Sequence, residues 1–184
     1  YGIARSSSAF TSARGTTGRI FSITGNKDIT GITINPTTGI ITVAATTPVD
    51  TYTITVIATD SVTATGSTTM TVRVNDPLVI LFGSNVTTTY GRADTSTAFS
   101  NTGGTGPFTF SILPNVTGIA IGSSSGKVTV AKNTAPGTYV ETVTVQDAVG
   151  ATNSTTMTIQ VNESVTVTGG TNIVTTYGIA KQTD

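Results

Sequence analysis

The chain repeats itself. Thr88-Thr89-Tyr90-Gly91 recurs as Thr175-Thr176-Tyr177-Gly178, and Ser67-Thr68-Thr69-Met70-Thr71-Val72 recurs as Ser154-Thr155-Thr156-Met157-Thr158-Ile159, both 87 residues further on. A fixed self-similarity marks one structural unit used more than once, so a fold has to be found for about 87 residues and not for the whole chain. Gly39, Val43, Tyr52, Val56, Asp60, Val74 and Asn75 recur at the same offset as Gly126, Val130, Tyr139, Val143, Asp147, Val161 and Asn162. Near the start the offset grows by two, pairing Tyr1, Phe10, Phe21 and Ile23 with Tyr90, Phe99, Phe110 and Ile112. The first copy therefore carries a two-residue insertion around Thr24 to Thr30, of the kind surface loops accommodate at little cost.

Inside the unit the hydrophobic period is two. In Tyr52-Thr53-Ile54-Thr55-Val56-Ile57-Ala58, the residues Tyr52, Ile54, Val56 and Ala58 share one pleat face while Thr dominates the other, the alternation of a half-buried antiparallel strand. Met70, Val72 and Val74 repeat it with Thr71 and Arg73 turned to water, and Phe108, Phe110 and Ile112 form a further inward row. Turn-forming stretches such as Asn35-Pro36-Thr37-Thr38-Gly39 and residues 123–126 punctuate the strands. No segment offers a helical stripe. Short strands at regular spacing in a unit of this size predict an all-β fold, Greek-key β-sandwiches in tandem, with Tyr52 and Tyr139 in strands near the end of each domain.

Composition then removes functions. Charged residues make up 10% of the chain with a formal net charge of +0, so Lys and Arg are too few and too scattered to track phosphates, and no nucleic-acid partner is expected. Hydrophobic residues at 36% suffice to bury a core, which argues against disorder. Ser and Thr are roughly a third of the chain, a bias that suits solvated strand faces. The longest apolar run, residues 78–82, is far short of the roughly 20 residues of a membrane helix. The first residues show no basic segment leading into an apolar one, which is not evidence for the cytoplasm. Histidine and cysteine are absent, which excludes Ser-His and Cys-His nucleophile pairs and leaves no disulfide framework. Of the carboxylates, only Asp60 with Asp147 and Asp76 with Glu163 are equivalent between copies, and a domain length separates each pair. The expectation is a non-enzyme.

Five signatures recur in order. In the second copy they read Phe108-Thr109-Phe110-Ser111-Ile112-Leu113-Pro114, Gly118-Ile119-Ala120-Ile121, Ser125-Gly126-Lys127-Val128, Ala135-Pro136-Gly137-Thr138-Tyr139 and Val143-Thr144-Val145-Gln146-Asp147. In this order the unit resembles the He_PIG-like immunoglobulin-type and cadherin-like repeats of bacterial and archaeal surface proteins. The first copy departs in having Thr24-Gly25 where the second has Leu113-Pro114. The resemblance implies immunoglobulin-like or cadherin-like sandwiches used in tandem for adhesion, spacing or surface-layer construction, an extracellular or cell-surface location, and no enzyme chemistry.

The copies differ at their beginnings. Residues 77–89 precede Tyr90, whereas no counterpart precedes Tyr1; the counterpart stands at 164–176, before Tyr177. The expected domains are 1–76, a first sandwich without its first strand; 77–163, a second sandwich; and 164–184, the opening strand or strands of a third. Two readings stay open: a window on a longer array, or a subunit whose 164–184 segment completes the first domain of the next molecule by strand addition and so builds an open filament. On the second reading the residues that carry assembly are Leu78, Ile80, Phe82, Val165, Val167 and Ile173, and the partners are copies of the chain or adjacent repeats. The unbroken run Leu78-Val79-Ile80-Leu81-Phe82 predicts a strand covered on both faces.

Cadherin-like repeats often hold calcium at their junctions, so the resemblance makes Asp60, Asp76, Asp147 and Glu163 weak calcium candidates. With Asn75 and Asn162 they are placed as one group of Asp60, Asn75 and Asp76 and another of Asp147, Asn162 and Glu163. Calcium takes six to eight oxygens, and the family's fuller acidic motifs are missing; the plainer role of Asp60 and Asp147 is to shape turns by Asx hydrogen bonds. No other cofactor is expected. Four glycosylation sequons, at Asn85, Asn115, Asn153 and Asn162, are about what this Ser/Thr content yields by chance. The first functional expectation is a structural repeat of an extracellular filament, stalk or surface layer. The alternative is an adhesin module holding a carbohydrate or protein ligand on turn loops such as residues 103–107, although Trp is absent and Phe and Tyr mostly fit inward rows.

Overall fold

A computed structural model describes residues 2–178; Tyr1 and the last residues of the expected third unit, 179–184, lie outside the described residues. The first unit contains β1 (Arg5–Ser6), β2 (Ile20–Gly25), β3 (Ile32–Ile34), β4 (Ile41–Val43), β5 (Asp50–Thr59) and β6 (Thr65–Val74). The second contains β7 (Val79–Leu81), β8 (Val86–Thr89), β9 (Asp94–Thr95), β10 (Ser100–Thr102), β11 (Thr109–Leu113), β12 (Ile119–Ile121), β13 (Val128–Val130), β14 (Gly137–Gln146) and β15 (Thr152–Asn162). Among the described residues every element is a strand. Among the described residues the chain is all-β, two sandwich units in tandem.

Each unit packs two layers over one core. In the first, the sheet β2-β5-β6 faces the sheet β1-β4-β3; in the second, β11-β14-β15-β8 faces β12-β13-β9, and the pair β10-β7 closes one side. The long hairpin β5-β6 pairs from Asp50 opposite Val74 to Thr59 opposite Thr65, and β14-β15 repeats it from Gly137 opposite Val161 to Gln146 opposite Thr152. This register sends Tyr52, Ile54 and Val56 inward and leaves Thr51, Thr53 and Thr55 on the other face, as the alternation requires. Two hydrophobic clusters result. One gathers Phe21, Ile32, Ile41, Tyr52, Ile54 and Val56, the other is built around Phe99, Phe110, Val128, Val143, Val145 and Ile159. At roughly 1.5–3 kcal/mol for each large apolar side chain taken from water, these rows hold the sheets together.

Details repeat with the offset. Tyr52 donates its hydroxyl to the Pro48 carbonyl at 2.9 Å and Tyr139 to the Ala135 carbonyl at 2.8 Å, so the buried Tyr52 ring and the half-buried Tyr139 ring each keep the polar tip bonded. Thr47 and Thr134 donate to the carbonyls of Gly31 and Gly118. Both glycines have a φ of 87° and a Cβ would lie 2.5 Å and 2.4 Å from the threonine hydroxyl, so the turn before β3 and β12 admits no side chain there. The insertion folds back on β5: Asn26 accepts from the Thr53 N–H, and Lys27 pairs with Asp50 at 2.5 Å.

The copies part at β7, β8 and β10. β7 runs antiparallel to β10, and β8 runs parallel to β15, placing Val86 opposite Ile159 and Thr89 opposite Asn162. In the first unit, no described residue pairs with the far edge of β6. The expectation that residues 78–82 are covered on both faces is corrected. Leu78 and Ile80 are buried, but Val79, Leu81 and Phe82 stay 45%, 43% and 51% exposed. The physical reason is position: β7 forms its ladder with β10 at a sheet edge, so its outward row meets water, and Phe82 meets the Phe99 ring edge-on with centroids 5.4 Å apart.

Candidate functional site

The site begins with what β7 and β8 do in the second unit. Leu78 and Ile80 point into the core beside Phe99, the Ile80 N–H is received by the Asn153 side-chain oxygen at 3.0 Å, and Val86 with Thr88 seals the edge of β15. Asn85 adds a bond by accepting from the Thr158 N–H at 2.8 Å. With these strands in place, Met157, Ile159 and Val161 are buried to 2%, 0% and 2% exposure.

At the equivalent place the first unit has a groove. A cavity of about 440 Å³ is lined by the apolar Phe10, Phe21, Val56 and Ala58, by residues 11–13 and 64–68, and on one side by Arg14, Gly15, Arg19 and Asp60. By the repeat offset, Thr11, Ser12 and Ala13 stand for Ser100, Asn101 and Thr102, the strand that pairs with β7, and Gly66 stands for Asn153. Met70, Val72 and Val74, equivalent to the buried Met157, Ile159 and Val161, are only half-buried, as is Phe10 against the buried Phe99. By these offsets the groove corresponds to the place of β7 in the other copy.

The segment after β15 carries the matching pattern. Val165, Val167 and Ile173 stand at the offsets of Leu78, Ile80 and Val86, and they are 89%, 91% and 59% exposed. Gly170 and Asn172 keep the places of Gly83 and Asn85. Gly83 is required where it stands, since a Cβ there would lie 2.6 Å from the Thr97 carbonyl. Leu81 and Phe82 have no apolar counterpart, being Thr168 and Gly169. Of the expected assembly residues, the structure thus puts Leu78 and Ile80 inside their own unit, Phe82 at its rim, and Val165, Val167 and Ile173 on an exposed segment.

Between the units lies a junction. Asn75 donates its side-chain amide to the Thr105 hydroxyl at 2.8 Å, the Asp76 carbonyl accepts from the Gly104 N–H at 2.8 Å, and Arg5 donates to the Val149 carbonyl. Gly103 has φ 65° and lies so close to Pro77 that a Cβ would fall 2.1 Å from the proline carbonyl. Residues 103–105 are therefore engaged by the linker, and the loop proposed from sequence as a ligand platform is half consumed by the joint.

The carboxylates are arranged differently from the expected groups. Asp147 is buried, one oxygen accepting from the N–H groups of Val149 and Ala151 and the other from that of Thr105. Asp60 repeats this with Val62, Ala64 and Thr16. The Thr16 N–H, ahead of the bonds from Ala64 and Val62, holds the Asp60 carboxyl below its usual range. Asp60 does not converge with Asn75 and Asp76, nor Asp147 with Asn162 and Glu163. The ten residues of β6 lie between the first set and the eleven of β15 between the second, roughly 30 Å of extended chain at 3.3 Å per residue. The junction brings Asn75 and Asp76 to Asp147 of the following unit, around a cavity of about 450 Å³. Among the described residues no three acidic groups form a metal cluster, and both oxygens of Asp147 are already spent on backbone donors. Glu163 is exposed beyond β15.

One residue escaped the sequence reading. Glu141 is fully buried on the inward row of β14 opposite Met157, both carboxylate oxygens have no hydrogen-bond partner among the described residues, and burial pushes its carboxyl above the usual range. Its counterpart is Ile54. The signal was present in the alternation Tyr139, Glu141, Val143.

No family model matches the chain, and no curated protein does. Similar solved structures include mouse cadherin-23 repeats EC22–24, with TM-score 0.42 and 17% identity over 79% of this chain and 53% of that one. Chicken VE-cadherin EC1–2 gives 0.39 and 16% over 90% and 93%, and protocadherin gamma B7 extracellular domains 1–4 give 0.44 and 13% over 89% and 42%. The chain spans about half the length of the first of these.

Proposed function

We propose that this chain is a structural repeat module of an extracellular filament, stalk or surface layer, joined head to tail by strand addition. One observation carries the reading: an open groove on the first unit, with Phe10, Phe21 and Val56 in its wall, and an exposed segment after the second that bears the side-chain pattern of the strand at the corresponding place in the second unit. A sandwich edge with unpaired backbone beside half-buried core residues is a template for a further strand. A strand donated from after one unit to the first unit of another copy makes a heterologous contact, which propagates unless rotation closes a ring. The ordered resemblance to He_PIG-like and cadherin-like surface repeats supports the extracellular setting. The adhesin alternative keeps less support, since residues 103–105 serve the junction. Calcium is retained only as a weak partner of the joint, where Asp76 and Asp147 line one cavity. Light scattering after size-exclusion chromatography over a hundredfold range of concentration, with electron microscopy of the concentrated sample, tests the assembly. Oligomers that lengthen with concentration are expected. A strictly monomeric chain with a stably folded first unit would sink the reading.

A further inference from the structure

The second unit supplies a template for the joint at residue resolution. We infer that residues 164–176 of one chain dock on the first unit of a second copy in the register that residues 77–89 take in the second unit; this rests on the head-to-tail reading above. Transferred by the offsets, Ser100 opposite Leu81 becomes Thr11 opposite Thr168, and Asn101 opposite Ile80 becomes Ser12 opposite Val167. On the other sheet, Ile159 beside Val86 becomes Val72 beside Ile173, running parallel. Val165 and Val167 enter the groove against Phe10 and Phe21, and Ile173 covers the half-buried Val72. Asn172 inherits the bond of Asn85, accepting from the N–H of Thr71, the equivalent of Thr158.

The linker is matched as well. Gly15 and Thr16 stand for Gly104 and Thr105, and Thr16 is presented by Asp60 as Thr105 is by Asp147. The incoming Asn162 and Glu163 then repeat the bonds of Asn75 and Asp76: amide to the Thr16 hydroxyl, carbonyl from the Gly15 N–H. The far limit is also set. Gly91 donates to the Lys132 carbonyl, and Gly2 already sits against the equivalent Ala45 carbonyl, so the donor leaves the groove after Thr176. At one position the match fails: Arg14, with φ 68°, stands where Gly103 leaves no room for a Cβ, so the Ser164 carbonyl has to lie farther out than that of Pro77.

The chain has no cysteine, so paired substitutions report on this register alone. In the full chain, Thr11→Cys with Thr168→Cys places both thiols on the outward faces of opposed residues; mild oxidation is expected to give a ladder of covalent oligomers that reduction collapses. Thr11→Cys with Ser164→Cys, four residues out of register, is expected to give none. Val167→Asp alters a side chain already exposed in the free chain, so folding is untouched, and half-assembly is expected to need at least about a tenfold higher concentration. Oligomers that form while only the out-of-register pair links, or while neither links, would overturn the register and leave head-to-tail assembly standing. A covalently closed monomer would put the segment in its own chain's groove and overturn the second copy as acceptor. A chain that neither assembles nor links removes both.

Discussion

Replacing Glu141 by the residue its counterpart uses is expected to stabilise the second unit substantially. Glu141 and Ile54 occupy the same inward position, each at 0% exposure, each opposite a methionine. Losing a buried polar group without partners recovers about 1–3 kcal/mol, and a fully buried isoleucine side chain contributes about 1.5–3 kcal/mol. Imperfect fit of a side chain of similar volume takes back less than about 1.5 kcal/mol, leaving about 1–6 kcal/mol net for Glu141→Ile. For a unit of this size that raises the melting temperature by at least about 4 °C at neutral pH. The gain depends on pH with a definite sign. Because burial raises the carboxyl in the folded state, folding takes up a proton between the ordinary glutamate value of about 4.3 and that raised value. Wild-type stability therefore rises as pH falls through this window, and the margin of Glu141→Ile over wild type narrows. Glu141→Gln removes the titration and recovers only the part due to charge. Calorimetry from pH 4 to 8, with hydrogen exchange of β14 amides to assign the transition to the second unit, measures both. A Glu141→Ile variant less stable than wild type, or a margin that does not change with pH, would refute the argument.

Three further outcomes are expected. Asp147→Ala removes a buried acceptor of three backbone N–H groups and costs the second unit about 3 kcal/mol, with amides of residues 149, 151 and 105 losing exchange protection first. Asp60→Asn flattens the acid limb of first-unit stability: the lowered carboxyl contributes stability that is full above about pH 4 and is lost as pH falls through its folded value, so thermal melts below pH 4 converge on the variant. Arg14→Gly relieves a left-handed non-glycine residue and opens the space Gly103 leaves for the linker, so light scattering should show half-assembly at a lower concentration than wild type.

The proposed assembly surface was legible in part because it is a matter of offsets. Aligning the copies is enough to show that Val165, Val167 and Ile173 repeat Leu78, Ile80 and Val86, and alternation is enough to turn Met70, Val72 and Val74 inward. The acidic groups were not legible in the same way. Asp60, Asn75 and Asp76 are near in sequence, yet an extended strand of ten residues is the least compact way to join two points, and Asp60 and Asp76 flank β6 on opposite sides.

The sequence by itself determined the repeat, its two-residue period and the inward rows, because side-chain alternation is a local property of an extended backbone. Tertiary structure alone decided that Asp76 meets the Asp147 turn of the next unit, that the outer row of β7 faces water, and that Glu141 is sealed in the core without a hydrogen-bond partner among the described residues. Those outcomes depend on which strand edges are already occupied and which loops abut, and such pairings join residues dozens of positions apart that no local pattern connects.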